Sequence, residues 1–103
     1  MILLENSVII IENERASLDD KVHFEHTVTG LLEKGSREIT VDLGRTVYLP
    51  SELMGFMMWK KKELAEQGIR FRIGRISSSL KRIFDNAMLS DFFEINNTTE
   101  VVD

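Results

Sequence analysis

The stretch Ile39-Thr40-Val41-Asp42-Leu43 is a β-strand pattern, and it is followed by a helix pattern from Leu49 to Gln67 and a second strand pattern from Ile69 to Ile73. β-Branched and aliphatic residues favour the strands, and the sequence Leu49-Pro50-Ser51-Glu52 is typical of a helix start. Gly68 is expected to end the helix. A strand, a helix and a strand in this order predict a right-handed β-α-β unit with parallel strands.

The N-terminal part of the chain shows the same alternation. The continuous run Val8-Ile9-Ile10-Ile11 predicts a strand that is buried on both faces, and Met1 to Leu4 is a candidate edge strand before it. A polar loop follows, and Asp19 or Asp20 is a candidate helix cap. Gly35 is expected to end this helix. Its apolar residues recur at near-helical spacing: Val22, Phe24, Val28, Leu31 and Leu32.

The C-terminal part predicts a third helix, capped by Ser77 or Ser78, and a short final element from Phe92 to Ile95. The apolar stripe of that helix is Leu80, Ile83, Phe84 and Ala87. We therefore predict one α/β domain over residues 1–95, with a mostly parallel mixed sheet of four to five strands and three or more helices. Residues 96–103 are polar and acidic, and we expect them to form a frayed tail.

Composition excludes several classes of protein. The chain has 103 residues, of which 43% are hydrophobic and 29% are charged, as in a folded domain and unlike a disordered chain. It has no cysteine, so neither a disulfide scaffold nor a thiolate metal site is available. No apolar run approaches the roughly 20 residues of a membrane span, and the acidic N-terminus lacks the basic region of a signal peptide. We expect a cytoplasmic protein without a membrane partner.

The net charge of −4 conceals a basic stretch between Lys60 and Arg82. That stretch holds eight basic and two acidic residues, a net charge of +6, whereas the rest of the chain carries −10. Basic stretches can bind phosphate or acidic partners. Here Arg70 and Arg72 alternate with apolar residues as a strand requires. We therefore interpret the stretch as a solvated helix face and a charged edge strand, without a nucleic-acid partner.

The sequence patterns of common catalytic sites are absent. Gly30 and Gly35 have the first spacing of a phosphate-binding loop, but Ser36 replaces its lysine. His23 and His26 can share a helix face, yet no third metal ligand follows at a fitting spacing. We therefore predict neither a metal nor a cofactor. A hydrolase that combines a distant serine with His23 or His26 is an alternative, and it requires a pocket that joins the two residue types.

The segment from Asp42 to Gly55 resembles the STAS domain of anti-sigma factor antagonists. In that family a strand ends in Asp-Leu, and a turn leads through an apolar pair, an Asp-Ser pair and an aliphatic residue to a glycine near the helix start. The matching residues keep this spacing without a gap: Asp42-Leu43, Tyr48-Leu49, Ser51, Met54 and Gly55. The similarity covers about four-fifths of the chain and continues through Glu66-Gln67-Gly68, Phe71-Arg72-Ile73-Gly74 and Ser77 to Phe93.

The sequence also departs from the family pattern. Pro50 stands where the family usually has Asp, Glu52 and Leu53 replace a small residue and a glycine, and Asn13-Glu14-Arg15-Ala16 lacks the early Gly-x-Leu-Asp loop. The resemblance implies that Ser51 is phosphorylated by a serine kinase that doubles as an anti-sigma factor-like regulator, and that a PP2C-like phosphatase resets it. It thus implies a partner-switching regulator and not an enzyme.

The residues themselves allow two roles for Ser51. Free N–H groups and the helix dipole favour an anion at the start of a helix, so a phosphate of about −1.5 to −2 charges fits there. The same hydroxyl can instead be only an N-cap, worth about 1 kcal/mol relative to alanine. In that second role the chain is a constitutive STAS-like scaffold, or an accessory subunit of a larger complex such as a transporter.

Helical spacing divides the second helix into two faces. Leu53, Met57 and Leu64 form the predicted core face, with Phe56 beside them. The opposite face is the candidate partner-binding surface: Ser51, Glu52, Gly55, Met58, Trp59 and Lys62. A glycine there lets another backbone approach, and an exposed tryptophan is typical of a docking surface. Alternatively, a second element of the same chain covers the methionine and the tryptophan.

Overall fold

The computed structural model describes residues 1–103, which form five strands and four helices. The strands are β1 (Ile2–Glu5), β2 (Val8–Ile11), β3 (Glu38–Leu43), β4 (Arg70–Ser77) and β5 (Glu100–Val102). The helices are α1 (Leu18–Glu33), α2 (Ser51–Glu66), α3 (Ser78–Asn86) and α4 (Ile95–Thr98). The predicted α/β class is confirmed, and so are the predicted ranges for the numbers of strands and helices.

The five strands form one mixed sheet in the order of the sequence, β1-β2-β3-β4-β5. β1 is antiparallel to β2, and a two-residue turn at Asn6 (φ 50°) and Ser7 (φ 68°) joins them. Positive φ values at both positions give the backbone twist that a tight hairpin requires. The other three strand pairs are parallel, so the sheet is mostly parallel, as predicted.

The helices cover one face of the sheet, and we call the other side the open face. Because β2 to β5 follow one another in sequence order, right-handed connections place α1, α2 and α3 on the same side. The burial of β2 agrees with this geometry, since Ile9 and Ile11 are fully buried whereas Val8 and Ile10 are only half-buried. The prediction that this strand is buried on both faces is therefore wrong.

Helix α1 begins with a capping box at Ser17, not with a cap at Asp19 or Asp20. The Ser17 hydroxyl accepts a hydrogen bond from the Asp20 backbone N–H (3.1 Å), and the Asp20 carboxylate accepts one from the Ser17 backbone N–H (2.9 Å). The same carboxylate accepts hydrogen bonds from the α-amino group of Met1 (3.0 Å) and the side-chain amide of Asn13 (2.8 Å). Asp20 therefore ties the first residue of the chain to the start of α1.

Acid unfolding is expected to depend on the ionisation of Asp20. Burial raises the pKa of this carboxyl, but hydrogen bonds from the Ser17 N–H, the Met1 ammonium and the Asn13 amide outweigh burial and lower the pKa from 3.8 to about 2. Because the folded-state pKa lies below the unfolded-state value, the ionised group adds about 2 kcal/mol of stability above pH ~4. That stability is lost as the pH falls from about 4 to about 2. Urea unfolding of the wild type and of Asp20→Asn over this range measures the contribution.

The comparison has a matched control in the same helical turn. Asp19 is exposed, so Asp19→Asn is expected to change the free energy of unfolding by less than about 0.5 kcal/mol. The stability difference between the wild type and Asp20→Asn should shrink as the pH falls through the range in which the buried carboxyl protonates. A difference that stays constant down to about pH 2 would contradict this account of Asp20.

The chain end belongs to the sheet, although the sequence predicts a polar tail at residues 96–103. β5 pairs in parallel with the carboxyl half of β4, with Glu100 opposite Arg75. Ile95, the first residue of α4, is 1% exposed, and its burial in the core holds the segment before β5 in place. β4 is therefore an internal strand only at residues 75–77. Residues 70–74, which include Arg70 and Arg72, have β3 on one side and no strand on the other, as the prediction of a charged edge strand expects.

Side chains protect the part of β4 that β5 does not reach. Lys61 Nζ donates a hydrogen bond to the Phe71 carbonyl oxygen at 2.9 Å, and Thr99 Oγ1 donates one to the Ile73 carbonyl oxygen at 2.6 Å. Both carbonyl groups would otherwise be available for pairing with another strand. The same lysine pairs with Glu94, and this hydrogen bond lowers the pKa of Glu94.

The basic stretch of residues 60–82 is largely neutralised by ion pairs within the chain. Five of its basic side chains pair with a carboxylate: Lys60 with Glu63 (2.7 Å), Lys61 with Glu94 (3.0 Å), Arg70 with Glu38 (3.7 Å), Arg75 with Asp42 (3.4 Å) and Lys81 with Asp85 (2.9 Å). Arg72 donates instead to the Thr98 carbonyl oxygen at 2.9 Å. Half of the eight basic side chains therefore contact residues of β3 or of the C-terminal segment: Lys61, Arg70, Arg72 and Arg75.

Candidate functional site

Ser51 is the first residue of α2, and Pro50 occupies the N-cap position before it. Pro50 has φ −65° and ψ 149°, and its carbonyl oxygen accepts hydrogen bonds from the N–H groups of Leu53 (3.0 Å) and Met54 (3.1 Å). The prediction that Ser51 is the N-cap is therefore wrong, because the fixed φ of proline already sets the backbone for the helix start. The Ser51 side chain is exposed and caps no backbone group.

The first turn of α2 presents free backbone donors at the surface. The N–H groups of Ser51 and Glu52 have no backbone acceptor in the chain, as expected for the first residues of a helix. These donors and the helix dipole favour an anion at this position. Glu52 is the only acidic residue in the turn, and its side chain is exposed.

The two faces of α2 largely follow the prediction. On the core face Leu53 and Met57 are 0% exposed and Leu64 is 1% exposed. The exposed residues opposite them define the outer face of α2: Ser51, Glu52, Gly55, Trp59 and Lys62. Met58 does not belong to this face, because it is half-buried against the core. The unbranched side chain of methionine can reach around the flank of a helix, which angular spacing does not capture.

No other element of the chain covers Trp59, which is 57% exposed. Its ring lies 6.2 Å from the Phe56 ring and 5.2 Å from Lys60 Nζ. Phe56 in turn contacts Phe24 of α1, with ring centroids 6.0 Å apart. A Cβ atom on Gly55 would have no neighbour within 4 Å. Packing inside the chain therefore explains neither the exposed tryptophan nor the glycine on this face.

Backbone hydrogen bonds join the loop of residues 12–17 to the loop of residues 44–50, which leads to Ser51. The backbone N–H groups of Val47 and Tyr48 donate to the Glu14 carbonyl oxygen at 2.7 and 3.1 Å, and the Ala16 N–H donates to the Tyr48 carbonyl oxygen at 3.1 Å. The Arg15 guanidinium lies 4.6 Å from the centre of the Tyr48 ring. Val47 and Tyr48 are 36% and 40% exposed. They lie three and four residues before Ser51 in the chain.

Sequence reasoning did not assign Val47, Tyr48 and Arg15 to the site. Tyr48-Leu49 is an apolar pair in the sequence, but the structure buries Leu49 at 5% exposure and leaves Tyr48 at the surface. The loop that contains Arg15 meets Tyr48 through an isolated parallel bridge between the two residues. A contact between residues this far apart in sequence leaves no local pattern, so no sequence signal could have identified it.

The chain has one concave pocket, which is formed by the end of α3, the segment after it and α4. It is lined by Asp85, Met88, Ser90, Asp91 and Asn96. Ser90 donates a hydrogen bond to Asp85, and this bond, with one from Lys81, lowers the pKa of Asp85.

The pocket does not provide the arrangement that the hydrolase alternative requires. Its only serine is Ser90, and no histidine lines it. His23 and His26 are instead exposed residues of α1. The structure contains no group of three or more His, Cys, Asp or Glu side chains that could hold a metal ion.

Comparison with known proteins does not assign the chain to a family. No protein-family model matches it, and no curated protein matches its sequence. None of its helices combines the length and the apolar character needed to cross a membrane.

Proposed function

We propose that this chain is a STAS-like binding module, a phosphorylation-gated partner switch of the anti-sigma factor antagonist type with Ser51 as the phosphoacceptor. The observation that carries the proposal is the exposed Ser51 hydroxyl, which caps no backbone group although it lies at the first position of α2. The segment from Asp42 to Gly55 supports it further, because it spans the end of β3, the connecting loop and the start of α2. That arrangement is the one implied by the resemblance to the STAS domain.

The proposed partner surface consists of the outer face of α2 together with Val47 and Tyr48. Its proposed partners are a serine kinase that also acts as an anti-sigma factor-like regulator, and a PP2C-like phosphatase that removes the phosphate. The chain acts by binding in the cytoplasm, without its own catalytic chemistry and without a cofactor, a nucleic acid or a membrane. Exposed aromatic side chains supply the binding energy in such surfaces.

Gating follows from the charge that phosphorylation adds. A phosphate on Ser51 brings about −1.5 to −2 charges to the start of α2, where the free N–H groups and the helix dipole stabilise it without unfolding the helix. A partner that covers Tyr48 and Trp59 would also remove this dianion from water, and the cost of desolvation opposes docking. An acidic partner is repelled in addition, and Glu52 adds to that repulsion.

A constitutive STAS-like scaffold is the second candidate, and Pro50 favours it. This proline replaces the acidic residue that precedes the phosphorylated serine in the family. The burial and hydrogen bonds of α2 argue against it in one respect. In the scaffold Ser51 serves as the cap of α2, but Pro50 occupies that position. The two candidates differ in one measurable property. A partner of the scaffold should bind Ser51→Glu as tightly as the wild type, whereas a partner of the switch should bind it more weakly.

Replacing Ser51 by alanine is expected to abolish phosphorylation and to change the free energy of unfolding by less than about 0.5 kcal/mol, because the hydroxyl caps no helix. The protein is incubated with ATP and cytoplasmic extract from its own source, and the phosphate is located by mass spectrometry. Ser79→Ala is the matched control, because Ser79 is an exposed serine in the first turn of α3. This control should retain the phosphate. Phosphate on the Ser51→Ala protein would refute the assignment of Ser51.

A further inference from the structure

The first strand of the chain is apolar, yet none of its side chains is fully buried. Ile2 and Leu3 are half-buried, Leu4 is 47% exposed, and Met1 before them is 63% exposed. By contrast, β2, β3 and β4 each contain two or more apolar side chains that are at most 1% exposed. Packing inside the chain therefore leaves apolar surface of β1 uncovered.

Half of the backbone groups of β1 point away from the sheet. The Met1 carbonyl oxygen accepts a hydrogen bond from the Glu12 N–H at 2.9 Å, so these two residues occupy a hydrogen-bonded position beside β2. Such positions alternate along an antiparallel strand pair. The N–H and C=O groups of Leu3 therefore also point to β2, whereas those of Ile2 and Leu4 point outward. No strand of the chain pairs with this side of β1.

β1 also lacks the features that usually keep an edge strand from pairing. Its sequence, Ile2-Leu3-Leu4-Glu5, contains no lysine and no proline, and its register with β2 contains no bulge. In β4, by contrast, Lys61 and Thr99 donate to backbone carbonyl groups that β5 does not reach. The outer side of β1 is therefore available for pairing with a further strand.

We propose that β1 pairs with β1 of a second copy of this chain, in antiparallel orientation about a two-fold axis at Leu3. In this register Ile2 lies opposite Leu4 of the second copy. The outward backbone groups then form two hydrogen-bonded residue pairs, each with two hydrogen bonds, and the two sheets join into one continuous sheet. This proposal does not rest on the role of Ser51.

The charges at the two ends of β1 favour a second copy in this orientation. The Met1 ammonium lies at one end and the Glu5 carboxylate at the other. Asp20 accepts one hydrogen bond from the ammonium, which leaves two of its N–H donors for another carboxylate. Antiparallel pairing brings Glu5 opposite Met1 of the second copy, whereas parallel pairing would place like charges together. The three residues between these ends meet only apolar residues, so β1 complements itself.

The other edge of the sheet fits β1 less well. β5 has three residues, and both Glu100 at its start and Asp103 after it are acidic, as is Glu5. Pairing of β1 with β5 of another copy would also repeat without closing, whereas pairing of β1 with β1 stops at two chains. Four paired residues on each side are expected to bury less than the roughly 1,200 Å² of a standard interface, so the dimer should dissociate at micromolar concentrations.

Sedimentation of the full chain at increasing concentration tests the dimer. We expect the wild type to change from monomer to dimer between about 1 and about 500 µM. Leu4→Lys should stay monomeric throughout, because lysine on an edge strand opposes pairing. Val101→Lys is the matched control, since Val101 is similarly exposed (44%) on the other edge strand, and it should dimerise like the wild type. Urea denaturation of the monomers checks that both variants fold.

Disulfide formation tests the register, because the chain has no cysteine of its own. In the proposed register Leu3 lies opposite Leu3 of the second copy in a non-hydrogen-bonded pair, with Cα atoms about 4.5 Å apart, which suits a disulfide. Under mild oxidation Leu3→Cys should form a covalent dimer about tenfold faster than Val101→Cys, and urea should remove the difference.

The outcomes decide between the possible contacts of β1. A wild type that stays monomeric at the highest concentration would overturn the proposal and leave the edge of β1 to a strand of another protein. Dimers that persist in Leu4→Lys would also overturn it, and their loss in Val101→Lys would place the contact at β5. Equal rates of disulfide formation in the two cysteine variants would refute the two-fold axis at Leu3.

Discussion

Replacing Leu64 by alanine is expected to lower the free energy of unfolding by roughly 2–5 kcal/mol, the range for a buried leucine whose removal leaves a cavity. Leu64 is 1% exposed and belongs to the core face of α2. Chemical denaturation of the wild type and the variant measures the loss. Its size within the range depends on how far the surrounding side chains move into the space.

A control for this prediction lies on the same helix. Lys62 is exposed two residues earlier and pairs with no carboxylate, so Lys62→Ala is expected to change stability by less than about 0.5 kcal/mol. If Leu64→Ala is tolerated and Trp59→Ala unfolds the domain, α2 is rotated relative to the structure described here. The assignment of its outer face to partner binding would then be lost as well.

Replacing Trp59 by alanine is expected to weaken binding of the partner by about 2 kcal/mol or more, roughly a 30-fold increase in Kd. The indole is 57% exposed and rests beside the Phe56 ring. Its loss should therefore cost little stability. The measurement is a binding titration of the partner that recognises the unphosphorylated protein, combined with denaturation of the same sample. Unchanged affinity would exclude the outer face of α2 as the docking surface.

Two glycines provide a matched comparison for the same titration. Gly55 and Gly30 both lie in helices, and a Cβ atom at either position would meet no atom within 4 Å. Alanine at each site should therefore stabilise the fold by up to about 1 kcal/mol. Gly55→Ala should also weaken binding if the partner backbone approaches α2 closely, whereas Gly30→Ala on α1 should not. Equal affinities for the two variants would exclude such an approach at Gly55.

Much of the architecture could be predicted from the sequence because it depends on neighbouring residues. The apolar spacing of Leu53, Met57 and Leu64 specifies which face of α2 is buried, since residues three or four positions apart share a helix face. Gly35 and Gly68 have φ values of 87° and 73°, and this conformation ends α1 and α2 where the sequence predicts. Ser77 likewise caps α3, with its hydroxyl accepting a hydrogen bond from the Leu80 N–H at 3.1 Å.

The candidate site was predictable only in part. The segment that carries Ser51 could be identified from its spacing, and most of the outer face of α2 followed from helical periodicity. The cap at Pro50 was missed, because serine has the higher general preference for that position and only the actual backbone angles decide between adjacent residues. The half-burial of Met58 was missed because it depends on how a flexible side chain packs.

By itself the sequence determined the alternation of strands and helices, because period and turn chemistry are properties of short segments. Only the tertiary structure decided which side of the sheet is open and that residues 100–102 form a fifth strand. It also decided that Arg75 reaches both Asp42 and Glu100. The reason is that each of these features joins segments far apart in the chain. Burial of Ile95 and the direction of the β-α-β connections bring those segments together, and neither leaves a pattern in local sequence.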